Sequence, residues 1–152
     1  MDELDRKILV ALADDARRPL SRVAEELGVG STTVHQRVRR MEERGVIVGS
    51  RLLVDWEAVG LPVVALVSIE VAEDAPLRDQ ADQLAENPYV QNCFAVTGEF
   101  DLLAVIRAHS SSHLGEILED LRHLVPGRTR TVIVLSTYFD GRVPPLGEPV
   151  SD

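Results

Sequence analysis

The sequence predicts an α+β fold in two parts: an all-helical first third, then strands and helices in the order β-α-β-β-α-β. Three observations predict it. Apolar residues recur at helical spacing three times before Gly45. Aliphatic, β-branched runs at 63–71, 89–96, 102–107 and 129–139 enclose two amphipathic stretches. Breakers fall between these segments: Asp14-Asp15, Pro19, Gly28, Gly45, Asn87-Pro88 and Pro126-Gly127.

The first helix is carried by Leu4, Ile8, Leu9 and Leu12 over roughly 3–14. Ser21 is placed to cap a second helix, with Val23, Ala24 and Leu27 facing inward. Gly28 ends it, where a left-handed backbone is needed. A third helix is expected over Ser31–Arg44 on the stripe Val34, Val38 and Met41.

The stretch from Leu20 to Arg39, LSRVAEELGVGSTTVHQRVR, meets each constraint of a helix-turn-helix. Val23, Leu27, Val29, Val34 and Val38 share a core, Ala24 is small where helices approach, and Gly28 makes the turn. In that motif the second helix enters the major groove of duplex DNA. The expected DNA-binding residues are Ser21, Arg22, Ser31, Thr32, Thr33, His35, Gln36, Arg37, Arg39 and Arg40, whose hydroxyls, amide, imidazole and guanidinium groups suit phosphates and base edges. The competing reading of Arg39 and Arg40 is a surface pairing with Glu42 and Glu43.

The formal charge of −9 at first opposes nucleic acid. Its distribution does not. Residues 1–55 hold ten Lys and Arg against ten Asp and Glu, so all the excess acid lies further on. DNA affinity follows local cations near phosphates, and a neutral half-molecule suggests that several copies act together. The single cysteine, Cys93, cannot form an internal disulfide, and no apolar run has the length of a membrane span. The N-terminus lacks the pattern of a secretory signal, so a cytoplasmic protein is expected.

In the second part, Val63–Val71 is a strand, Leu77–Ala85 a helix, Tyr89–Val96 and Leu102–Arg107 strands, Ser112–Leu124 a helix and Thr129–Phe139 the last strand. This is the ferredoxin-like order, an antiparallel sheet with two helices on one face. Gly45–Asp55 alternates weakly and is expected to form one further strand. The fold class is therefore α+β: an N-terminal winged-type helix-turn-helix followed by a ferredoxin-like βαββαβ domain. The expected boundaries are 1–50, a strand and connector at 51–62, 63–141, and a flexible tail at 142–152. Val63, Ala65, Val67, Ile69 and Val71 can face the helices, which leaves Val64 and Leu66 on the other side. The strands at 102–106 and 132–135 are also apolar on both faces. A half-covered sheet should alternate with polar residues, so a second sheet is expected to cover this one in a homodimer, with tetramer or octamer formation beyond it.

These residues resemble the Lrp/AsnC, or feast/famine, family of transcription regulators over about residues 3–141. Leu4-Asp5, the helix-turn-helix stretch through Ser50, Val96-Thr97-Gly98-Glu99-Phe100-Asp101 and Thr129–Leu135 carry the likeness, in that order. The resemblance implies dimers that associate into octamers, and an amino acid or related metabolite as effector. It places the effector at the Gly-containing turn, here Thr97, Gly98, Glu99, Phe100 and Asp101, with Ser136 and Tyr138 as second walls. Backbone N–H groups of the turn could hold a carboxylate, and Glu99 or Asp101 an ammonium. The chain departs from the family at Gly30, where a serine cap is usual and Ser31 is left to take that role, and at Arg128, where an aliphatic residue is common.

The expected function is a sequence-specific DNA-binding transcription regulator responsive to a small molecule. The alternatives are an enzyme of the same architecture, decarboxylase-like, and a ligand-independent architectural DNA-binding protein. Glu99 and Asp101 have no nucleophile or base nearby, and His109 and His113 lack a third metal ligand. No cofactor, metal or membrane partner is expected.

Overall fold

The structure is a computed structural model that describes residues 1–72 and 75–141. The chain divides into one unit built on Met1–Leu53 and a second on Val54–Tyr138.

The first unit holds α1 (Glu3–Asp14), α2 (Leu20–Leu27) and α3 (Ser31–Glu43). Their apolar faces meet on fully buried Ile8, Val23 and Val34, with Ala24 and Met41 beside them. Ala24 has no bulk to hold α2 away from its neighbours. Gly28 ends α2 at φ 67°, a left-handed conformation that costs a residue with a Cβ roughly 1–2 kcal/mol. The next N–H, on Val29, then bonds the Ala24 carbonyl at 3.0 Å, and Val29 packs against the core.

Two local expectations are corrected. Ser21 does not cap α2: the helix starts at Leu20 with Pro19 as N-cap, and Ser21 lies one residue inside it. Proline suits that position because its missing N–H and fixed φ cost nothing there. Ser31 does not cap α3 either, since Gly30 is the N-cap and Ser31 is the first helical residue.

The second unit holds β1 (Val63–Val71), α4 (Leu77–Leu84), β2 (Val90–Ala95), β3 (Leu102–Ala108), α5 (Ser111–Leu124) and β4 (Gly127–Val134). The antiparallel sheet has the order β2-β3-β1-β4, the ferredoxin-like arrangement. Ala65, Val67 and Ile69 of β1 and Leu102, Ala104, Ile106 and Ala108 of β3 are buried with Leu84 of α4 and Leu114, Ile117 and Leu121 of α5. Ser110 caps α5 by accepting the His113 N–H.

The pairing register settles the second face. Leu66 stands opposite Val105 on one side and Val132 on the other, Val64 opposite Val134, and Phe94 opposite Leu103. These side chains point away from the helices, and Phe94 and Val132 are about half exposed.

The strand expected over Gly45–Asp55, and with it a wing, does not form: no strand lies between α3 and β1. Alternation alone does not make a strand, because the backbone groups need a neighbour to bond. Val48 and Leu53 are at least nine-tenths exposed. The last strand is also displaced, starting two residues early at Gly127 and ending at Val134. A Cβ at Gly127 would lie 2.1 Å from the Glu70 carbonyl oxygen, so this glycine permits close approach of β1 and β4. The tail expected at 142–152 lies outside the described residues.

Candidate nucleic-acid interface and effector turn

The buried stripe of α3 is Val34, Met41 and half-buried Val38. At about 100° per residue, Thr32, Gln36 and Arg39 lie within roughly 50° of the opposite direction. All three are exposed, as are Ser31, Thr33, His35 and Arg40 around them. Ser21 and Arg22 are exposed in the first turn of α2. Neither α2 nor α3 has a side-chain cap, so the first N–H groups of both are open to an external acceptor such as a phosphate oxygen.

Several of these side chains have partners already. His35 Nδ1 lies 2.9 Å from the Ser31 carbonyl oxygen. A carbonyl only accepts, so Nδ1 donates and Nε2 faces outward. Arg39 bonds Glu43 at 2.9 Å and Arg22 bonds Glu25 at 3.0 Å, both as exposed pairs that a phosphate can displace at little cost.

Arg37 is turned towards the start of α1 rather than outward. It sits roughly 60° from the buried stripe, on the core side of α3. Its guanidinium donates to Asp2 and, at 2.9 Å, to Asp5 Oδ1. Asp2 and Asp5 form the capping box of α1, each carboxylate accepting the other's backbone N–H at 3.0 Å. The Asp5 side chain is 2% exposed, and Arg40 Nη2 lies 3.7 Å from it. Arg37, and then the Asp5 N–H, hold the Asp2 carboxyl down at about 2. Burial pushes Asp5 up, but the Asp2 N–H and Arg37 outweigh it and leave its pKa lowered. The sequence contained the signal: Arg37 shares its face with Val34 and Met41, three and four residues away.

In the second unit, the turn Thr97–Asp101 joins β2 to β3. Asp101 fixes it. Its N–H donates to the Ile69 carbonyl at 3.0 Å, and its Oδ2 accepts the Val71 N–H at 2.8 Å. Gly98 adopts φ 121°. Glu99 accepts from Arg128 at 2.6 Å, and Arg128 also donates to Glu70 at 2.6 Å and lies 5.2 Å from the centre of the Phe100 ring. A cavity of about 300 Å³ opens here, lined by Glu70, Val71, Ala72, Ala75, Leu77, Glu99 and Asp101.

Ser136 and Tyr138 are not brought to this turn. Both follow the end of β4, and Tyr138 is 93% exposed. The reason is strand direction. Arg128 pairs opposite Glu70, beside the turn, whereas Val134 pairs opposite Val64. Six residues of strand, roughly 20 Å, separate the two ends. Glu70 was missed because it reads as an ordinary exposed residue of an edge-paired strand; its role appears only once Arg128 is placed across from it.

His109 and His113 have structural duties. His109 Nδ1 bonds the Gly60 carbonyl at 2.8 Å, and its backbone N–H donates to His113 Nδ1 at 3.2 Å. The rings stack at 4.6 Å, with Tyr89 edge-on to His113 at 4.4 Å. Among the described residues no three His, Cys, Asp or Glu side chains are grouped to hold a metal ion, and no helix is long and apolar enough to cross a membrane.

A helix-turn-helix followed by a ferredoxin-like domain with a fastened acidic turn defines a class, the ligand-binding helix-turn-helix regulators. Residues 1–42 match the AsnC-type helix-turn-helix domain, and residues 64–144 the Lrp/AsnC ligand binding domain. The chain belongs to the Lrp/AsnC family. It is 33% identical over 140 residues to the HTH-type transcriptional regulator FL11 of Pyrococcus horikoshii, covering 91% of each chain. It is likewise 33% identical over 142 residues to the HTH-type transcriptional regulator LrpA of Mycobacterium tuberculosis, covering 93% of this chain and 95% of that protein. A feast or famine regulatory protein of M. tuberculosis, solved in complex with L-methionine, superposes with a TM-score of 0.90 at 32% identity, over 95% of this chain and 99% of the other.

Proposed function

We propose that this protein regulates transcription as a homodimer that reads duplex DNA with α3 and senses an amino acid at the turn Thr97–Asp101. The carrying observation is the outward face of α3, where Thr32, Gln36 and Arg39 stand opposite the buried stripe with no aliphatic residue among them. Gln36 reads base edges and Arg39 meets a phosphate, flanked by Thr33, His35 and Arg40. Ser21, Arg22 and Ser31, at the open starts of α2 and α3, bind phosphates and fix the register. Two copies are needed, since the first 55 residues carry no net charge and one helix contacts only half a two-fold site.

The effector reading rests on the acidic cavity beside the turn and on the L-methionine complex of the M. tuberculosis relative. Backbone N–H groups of the turn donate to the carboxylate, and Glu99 or Asp101 accepts from the ammonium. Further association to tetramers or octamers would bring several such turns together.

Binding to a duplex selected by the protein from a random pool, compared with a scrambled duplex across salt concentrations, tests the first half. Equal affinity and equal salt slope for both would remove sequence-specific regulation in favour of an architectural role. A thermal-shift screen of the common amino acids tests the second. A ligand at a hundred times its Kd stabilises by about 2.7 kcal/mol, a shift of several degrees. No shift with any amino acid at millimolar concentration would exclude that class of effector.

A further inference from the structure

We propose that Arg37 is a positioning residue rather than a DNA contact, and that Asp2 and Asp5 form an acidic clamp that keeps its charge off the phosphates while fixing α3 against the start of α1. The inference rests on the reading of α3 as the DNA-facing helix.

Arg37 lies in the middle of α3, within a run that also holds Arg39 and Arg40. A cation there should dominate the attraction to DNA. Its guanidinium instead points to the core side and is shared by two carboxylates. One of them, Asp5, is almost wholly buried and takes its remaining hydrogen bond from the Asp2 N–H. Without Arg37 this buried carboxylate would keep only the more distant Arg40, at 3.7 Å, and no hydrogen bond from a cation, so Asp5 does not release Arg37 readily. Asp2 is half exposed and close to the helix surface, so it competes with a phosphate for the same guanidinium. Because Asp2 and Asp5 are the two ends of the α1 capping box, the clamp ties the first turn of α1 to the middle of α3. The axial rotation of α3, which decides whether Gln36 or a neighbour meets a base edge, is thereby fixed from outside the helix-turn-helix. Arg39 has no such restraint, its partner Glu43 being exposed on its own helix.

The salt dependence of DNA binding separates the two roles. Each phosphate contact contributes about −0.9 to the slope of log affinity against log salt. For a two-copy complex of the full chain, Arg39→Gln should flatten the slope by about 1.8. Between 50 and 200 mM salt that equals a change of about 12-fold in how steeply affinity falls. Arg37→Gln should leave the slope unchanged yet reduce the ratio of affinities for the selected and scrambled duplexes, because α3 is less firmly set. Asp2→Asn retains an acceptor for the cap and removes the competing charge. With Asp5 still holding Arg37, the slope should stay unchanged while the ratio of affinities falls, because one of the two carboxylates that set α3 is gone. A slope flattened by Arg37→Gln as much as by Arg39→Gln would overturn the clamp. Should Arg37→Gln fail to give a cooperative melt, Asp2→Asn decides: an unchanged ratio of affinities refutes the proposal. Absence of duplex binding by the unaltered protein would instead refute the DNA reading on which it rests.

Discussion

Leu66→Asp tests the role of the open sheet face. Leu66 is at the centre of that face, on the central strand β1, between Val105 of β3 and Val132 of β4. Phe94, Leu103, Val64 and Val134 complete the apolar patch. Four strands about 4.8 Å apart, each contributing six or seven residues at about 3.3 Å, give a face roughly 15 by 20 Å. Two such faces cover roughly 600 Å² in projection, and the accessible area of their projecting side chains brings the buried surface towards the ~1,000 Å² that a specific interface must clear. A two-fold axis through the patch places two substituted carboxylates in one interface. Each buried, unpaired charge costs on the order of 3–5 kcal/mol. The pair then weakens association by about 6 kcal/mol or more, around four powers of ten in Kd. Leu66 is not among the side chains facing the helices, so the fold of a single copy should survive, as a thermal melt will check. Sedimentation equilibrium at micromolar concentration should show a dimer for the unaltered protein and a monomer for Leu66→Asp. A dimer in both would place the interface elsewhere. A monomer in both would refute the inference from two apolar faces.

Gly127→Ala should destabilise the sheet by about 1–3 kcal/mol, since its Cβ would lie 2.1 Å from the Glu70 carbonyl oxygen and strands β1 and β4 must part; a melt unchanged within error would contradict this. Ile106→Ala removes a fully buried side chain beneath α5 and should cost about 2–5 kcal/mol in denaturant unfolding. Asp2 and Asp5 both bind protons more weakly folded than unfolded, so their stabilisation is complete above the ordinary carboxyl value of 3.8 and is lost as pH falls towards about 2. Helical circular dichroism should therefore decline over that window, and less steeply in Asp2→Asn. Identical acid transitions in the two proteins would show that the clamp carries no linkage. Gly28→Ala, at φ 67°, should lower the stability of the helical unit by about 1–2 kcal/mol without altering the helices' apolar contacts, measured on the full chain by hydrogen exchange of α2.

Periodicity exposed what depends on one segment at a time. The stripe Val34, Val38 and Met41, the turn at Gly28 and the strand Val63–Val71 all follow from spacing and local backbone preference. The errors arose where a residue's role is set by a distant partner. Gly45–Asp55 alternates like a strand but has no neighbouring strand to bond. Pro126-Gly127 reads as a turn, whereas Gly127 is already in β4 because Glu70 leaves no room for a side chain. The resemblance puts Ser136 and Tyr138 at the effector turn, whereas the antiparallel direction of β4 carries them towards the other end of the sheet. Arg37 lay within reach of sequence reasoning, but Asp2 and Asp5 are more than thirty positions away, and their role emerges only when α1 is packed on α3.

The two apolar faces also leave the sheet with an ambiguity during folding. In a sheet with one wet face, a slip of one residue turns the hydrophobic set to solvent and is penalised at every position. Here the slip of β1 would exchange Ala65, Val67 and Ile69 for Val64, Leu66 and Ser68, with Glu70 beyond, so greasy side chains would still meet the helices over the first half of the strand only. Over that half, oil-and-water sorting discriminates weakly between correct and shifted pairings, and the penalty falls on Ser68 and Glu70. Discrimination falls to a few points that fit in one alignment only: Gly127 beneath the Glu70 carbonyl, Arg128 between Glu70 and Glu99, and the Asp101 carboxylate on the Val71 N–H. All three lie at the same end of the sheet, beside the effector turn. Glu70, Val71, Glu99 and Asp101, which frame the cavity beside this turn, are thus also pins that tell β1 and β4 where to stop sliding. For the effector site proposed at this turn, any change of ligand preference must also keep the strands in step.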